Sequence, residues 1–135
     1  MSLRLQTFKQ PSFDYEDFEP KLQQRIFKEL PKIDYLHTIQ VVKNMKRYVS
    51  MQGGKYDILV TAAYLHEVGK GDKTIILSHE LNDISPLLQK CAVNAKRARE
   101  ILDSIGFPTE RGEAVYAYLC KGECFELKRA HHSQF

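Results

Sequence analysis

His66 and Glu67 stand side by side at the end of an apolar run, Ala62-Ala63-Tyr64-Leu65-His66-Glu67-Val68-Gly69-Lys70, and a second histidine, His37, lies one segment upstream. A neutral imidazole and an ionised carboxylate are both good ligands for first-row divalent ions. Water bound to such an ion loses its proton near neutral pH and attacks phosphate esters. Gly69 lets the backbone leave the helix just after the pair, so both side chains can turn toward a cleft. Lys70 follows directly and is the candidate for stabilising charge on a phosphate. Adjacent His and Glu are common in proteins, so the pair alone is a weak signal. Its bland counterparts are a solvated helix end for Glu67 and a satisfied histidine beside a core stripe for His37.

The order of these segments adds to the signal. His37 sits in Asp34-Tyr35-Leu36-His37-Thr38-Ile39-Gln40-Val41-Val42, Gly53-Gly54 follows, and then comes Ala-Ala-x-Leu-His-Glu-x-Gly-Lys. This arrangement resembles the HD superfamily of metal-dependent phosphohydrolases, in which a histidine on one helix precedes a His-Asp pair ending a later helix. Residues 92–102 and Ile105-Gly106-Phe107-Pro108 look like that family's next helix and turn, so the resemblance spans roughly residues 32–122. It implies an all-α, compact multi-helix fold and a divalent metal (Mn, Fe, Ni, Zn or Mg) held by His37, His66 and Glu67. It also implies a phosphorylated small molecule as ligand.

The departures from the family pattern are specific. Glu67 stands where the family has aspartate, so the carboxylate reaches one methylene further. Cys91 and Cys120 occupy places where many members carry further histidines. No aspartate follows Asp103, so the closing ligand of the family would have to be Glu123 or Glu126, or be missing. Metal affinity falls when ligands are displaced or lost. The expectation is a divergent domain with an incomplete metal site, weakly active or non-catalytic, that binds a phosphorylated small molecule or a protein partner. The alternative is an active phosphohydrolase on nucleotides or other small phosphate esters.

The elements that must position these residues read as helices. Pro20 opens a stretch with Leu22, Ile26, Phe27 and Leu30 on an apolar stripe, ending before Pro31. Asp34 reads as the N-cap of a helix reaching Met51, striped by Leu36, Ile39, Val42, Met45 and Val49 and stopped by Gly53-Gly54. From Tyr56 to Val68 the chain is apolar nearly all round, the pattern of a central, buried helix. Ser85-Pro86 opens a further helix that Gly106 closes, and Thr109 caps a last one. The segment from Gly69 to Ser85 is polar and turn-rich, with Gly71-Asp72 as a turn signal. No strand alternation, repeat or low-complexity linker interrupts this organisation. Residues 1–19 form an acidic-aromatic arm, expected to pack on a helical domain of residues 20–135.

Size and composition set the outer bounds. A chain of 135 residues can bury about two-thirds of its unfolded surface, enough for a core without staples. Hydrophobic residues make up 43% and charged ones 27%, the balance of a globular protein. A net charge of +3 is too small to imply nucleic-acid binding, and no run of about eighteen apolar residues suggests a membrane span. Three cysteines without an export signal point to reduced thiols and a cytoplasmic location. Cys120, Cys124, His131 and His132 match no structural zinc spacing. A homodimer is the default for a small protein of this kind, although no heptad repeat points to one.

Overall fold

The computed structural model describes residues 13–69 and 86–120, with side chains at all of these except 86–93. They form five helices: α1 (Tyr15–Glu29), α2 (Lys32–Gln52), α3 (Tyr56–Leu65), α4 (Pro86–Ile105) and α5 (Thr109–Cys120). The fold is all-α, with no strand among the described residues, and none of the described helices is long and apolar enough to cross a membrane.

Helix α3 is the axis of the domain. Every residue from Ile58 to Leu65 is buried, which is the outcome its all-round apolar sequence demands. It packs on α2 and α5 and also touches α1 and α4. The core around it draws Leu22 and Ile26 from α1, Val41, Val42 and Met45 from α2, Ile101 and Leu102 from α4, and Val115 and Leu119 from α5. The α4–α5 hairpin turns through Gly106 at φ +87°, a left-handed conformation in which glycine carries no Cβ penalty. The amides of Gly106 and Phe107 both bond to Leu102 O at 3.1 Å, which closes the end of α4.

Helix α1 starts at Tyr15, five residues before the proline read as its opening. Asp14 caps it by accepting a hydrogen bond from the Glu16 amide at 3.0 Å, and Glu16 and Asp17 add negative charge to its first turn. Pro20 therefore lies inside the helix, where it removes one backbone hydrogen bond at a cost of about 3 kcal/mol. Tertiary contacts offset that cost. Phe18 is buried, its ring 5.0 Å from Phe107 and 5.2 Å from Phe13. Tyr15 Oη shares a 2.8 Å hydrogen bond with Thr61 Oγ1.

One residue after Phe18, Glu19 accepts from Tyr64 Oη and from Lys46 Nζ, both at 2.6 Å. This knot joins α1, α2 and α3. Burial pushes the Tyr15 hydroxyl well above its ordinary value; burial and then the Glu19 carboxylate do the same to Tyr64. Burial works against the Lys46 ammonium, but its bond to Glu19 prevails and raises it.

Helix α2 is rotated relative to the expected stripe. Its buried face runs Thr38, Val41, Val42, Met45, Tyr48 and Val49, whereas Leu36 is 56% exposed. Leu36 and Met45 are nine residues apart, about two and a half turns, so they stand on opposite sides of the helix. A row built on threes drifts round the axis and cannot be buried along its whole length. Phe27 of α1 is likewise exposed, not part of the core stripe. Helix α2 begins at Lys32, ahead of Asp34, with Pro31 at the cap and no side-chain capping bond. Gly53 ends it at φ +83°, donating its amide to Val49 O at 2.8 Å.

Candidate metal centre

Helix α3 ends at Leu65 and not at Val68, so His66 and Glu67 occupy a turn and not the last helical residues. His66 keeps right-handed helical dihedrals (φ −67°, ψ −11°). Its ring folds back on the helix end and Nδ1 lies 2.7 Å from Ala63 O. A carbonyl oxygen can only accept, so Nδ1 carries the proton and the neutral ring presents its lone pair at Nε2. Metal-ligating histidines are held in this way, by a hydrogen bond from the other ring nitrogen to a carbonyl or carboxylate.

Glu67 turns back toward that nitrogen, with Oε2 3.9 Å from His66 Nε2. Its second oxygen, Oε1, is buried and makes no hydrogen bond among the described residues. The side chains of His66 and Glu67 are 12% and 14% exposed. His37 reaches the pair from the second turn of α2, its ring centroid 6.0 Å from that of His66. One donor atom from each of the three lies within 4.8 Å of the others. His37 is partly exposed, so solvent and small ligands reach the cluster from its side.

Two imidazoles and a carboxylate suit zinc, iron, manganese or nickel. The fit is loose. Donors bound at about 2.0–2.1 Å stand roughly 3.0–3.4 Å apart around an ion, so an ion would draw these side chains inward by about an ångström. The three donors among the described residues would by themselves leave coordination positions open, as catalytic sites do and closed structural sites do not. With a proton on Nε2, the same two residues would instead be an ion pair, too long at 3.9 Å for a hydrogen bond.

The turn is held by a residue that the motif reading passed over. Asn94 of α4 is buried; its Nδ2 donates to His66 O at 2.6 Å and its Oδ1 accepts from the Gly69 amide at 2.8 Å. One side-chain amide thus spans the turn and fixes the backbone on both sides of Glu67. The available signal was an asparagine between Val93 and Ala95, on a helix whose neighbouring positions are small and apolar.

Of the candidate residues, His37, His66 and Glu67 come together. Lys70, Glu123, Glu126, Cys124, His131 and His132 lie outside the described residues, as does the side chain of Cys91. Cys120 is partly buried at the end of α5, one turn beyond Tyr116, whose pKa its thiol raises. The chain matches no protein family, no curated protein and no solved structure, so function has to be read from the site itself.

Proposed function

We propose that this chain is a divergent HD-type domain that holds a divalent metal ion on His37, His66 and Glu67. Through the open coordination positions it binds a phosphorylated small molecule, with slow turnover or none. The observation that carries the reading is the approach of three donor atoms from two separate helices to within 4.8 Å. The tautomer imposed on His66 by Ala63 O supports it further. An ion at this point would supply Lewis acidity and orient a phosphate oxygen. The protein's part is to hold the donors, exclude bulk water from the His66–Glu67 side and leave His37 open to the ligand.

Active phosphohydrolysis is the second reading, favoured by the open, three-ligand character of the set. An odd number of cysteines suits a reducing, cytoplasmic setting for either reading. The test is elemental analysis of untagged protein purified without chelators, beside His66→Ala, after exposure to Mn, Fe, Ni, Zn and Mg salts. Near-stoichiometric metal lost in the variant supports the site, and metal-free protein in every case overturns it. Calorimetric titration with nucleoside monophosphates, with and without the metal, then measures ligand binding. Metal-dependent release of inorganic phosphate would move the assignment to the second reading.

A further inference from the structure

Helix α1 joins the two parts of the donor set. His37 rides on the second turn of α2, whereas the His66–Glu67 turn is clamped by Asn94 of α4. Helices α2 and α4 hardly meet among the described residues, and α1 touches both. Toward α2, Gln23 Nε2 donates to Tyr35 Oη at 3.1 Å, and the Phe27 ring stands edge-on to Tyr35 at 5.1 Å. Tyr35 precedes His37 by two residues, and only Leu30 and Pro31 separate α1 from α2. Toward α4, Arg97 Nη2 and Nε donate to the two oxygens of Glu29 at 2.6 and 3.3 Å. Such a fork fixes orientation as well as distance. Arg25 Nε donates to the same carboxylate at 3.2 Å, and its Nη1 donates to Ser104 Oγ at 2.7 Å. Arg97 stands three residues beyond Asn94, and residues at that spacing are neighbours on one side of a helix.

We propose that the Glu29–Arg97 clasp is a positioning device for the metal ligands, setting how closely Asn94 holds the Glu67 turn against His37. The inference rests on the metal reading above. Neither Glu29 nor Arg97 touches the ion; they act through α4 and Asn94. The three donors have to close by about an ångström around an ion, and a set already held near that geometry spends less of its binding free energy on ordering. With the clasp cut, the part of α4 that carries Asn94 loses its tie to α1, the Glu67 turn follows it, and the donors spread. Helix α5 still packs on α4, so the turn is loosened and not released. The clasp therefore tunes affinity and does not decide whether metal binds.

The test measures zinc affinity of the full chain by competition with a chromophoric chelator, for wild type, Arg97→Ala, Glu29→Ala and their double variant. Arg111→Ala is the control. Its guanidinium pairs with Asp57 at 2.9 Å, in the first turn of α3 and at the far end of that helix from His66. Circular dichroism shows that each variant folds. The dissociation constant should rise about three- to tenfold in each single clasp variant, less than the 10–100-fold usual for a group bonded directly to a ligand. The double variant should bind no more weakly than the worse single one, because both remove the same contact, and Arg111→Ala should stay within about twofold of wild type. Cobalt(II) in place of zinc reports ligand geometry, and its visible bands should shift in Arg97→Ala but not in Arg111→Ala. Unchanged affinity in both clasp variants, or an equal loss in Arg111→Ala, overturns the positioning role and leaves the metal site standing. Zinc bound by none of the proteins, wild type included, overturns the metal reading and this inference with it.

Discussion

Replacing Asn94 with alanine takes a hydrogen-bond partner from two backbone groups at once. The Gly69 amide and the His66 carbonyl each lose a hydrogen bond of 2.8 Å or less, in a place where Asn94 itself is 7% exposed. A buried polar group left without its partner costs about 1–3 kcal/mol. Partial relaxation of the turn toward water brings the sum to about 2–4 kcal/mol, a large share of the roughly 5–15 kcal/mol that holds a domain together. With a urea m-value of about 2 kcal/mol/M, the middle of the usual range, the unfolding midpoint of Asn94→Ala should drop by about 1–2 M.

Hydrogen exchange reads the same event at one atom. The Gly69 amide should exchange slowly in the wild type and become one of the fast amides in the variant. If the cluster binds metal, affinity should fall about 10–100-fold as well, the usual effect of loosening a group that orients a ligand. Asn94→Asp keeps the acceptor for Gly69 but turns a carboxylate toward the His66 carbonyl, so it should rescue little. An Asn94→Ala protein with an unchanged midpoint and a Gly69 amide as protected as before would refute the clamp.

Acid should weaken the fold through Glu29. Burial alone would raise its carboxyl, but hydrogen bonds and charge from Arg97, at 2.6 Å, and from Arg25, at 3.2 Å, outweigh burial and lower it below the usual 4.5. The unfolded chain then takes up the proton first. The contribution is complete above about pH 4.5, drains away as pH falls through the folded value, and should be reduced in Arg97→Ala, as urea midpoints between pH 3 and 6 would record. Thr38 Oγ1 is buried without a hydrogen-bond partner among the described residues. Thr38→Val should therefore be neutral or stabilise by about 1 kcal/mol, and a loss above about 1 kcal/mol in thermal unfolding would mean that the hydroxyl is satisfied.

The all-α architecture and the central place of α3 were legible because eight consecutive buried residues leave no polar face to misread. The meeting of His37 with His66 and Glu67 was legible for a different reason: both segments carry side chains of metal-ligand type beside apolar runs that must pack together. What the linear pattern hid was longer in range. The start of α1 depends on Phe18 reaching Phe107 and Tyr15 reaching Thr61, contacts that override the local penalty of Pro20. The rotation of α2 depends on which row of side chains meets α3, a choice that Leu36 and Val41 enter as equals when only hydrophobicity is counted. Asn94 escaped notice because its partners are backbone atoms, and no residue type marks a carbonyl that needs a donor.

The partners of α1 lie far along the chain. Tyr15 waits for Thr61, 46 residues later, and Arg25 for Ser104, 79 residues later. At a synthesis rate of about 5–20 residues per second, roughly 4–16 s pass between the appearance of Arg25 and that of Ser104. Throughout that interval Phe18, Leu22 and Ile26 belong to a helix whose core is still incomplete, because α4 and Phe107 have yet to be made. The newborn chain therefore presents a sticky, apolar surface before the second half of the domain exists, and α1 is the segment for which a chaperone at the ribosome would first compete.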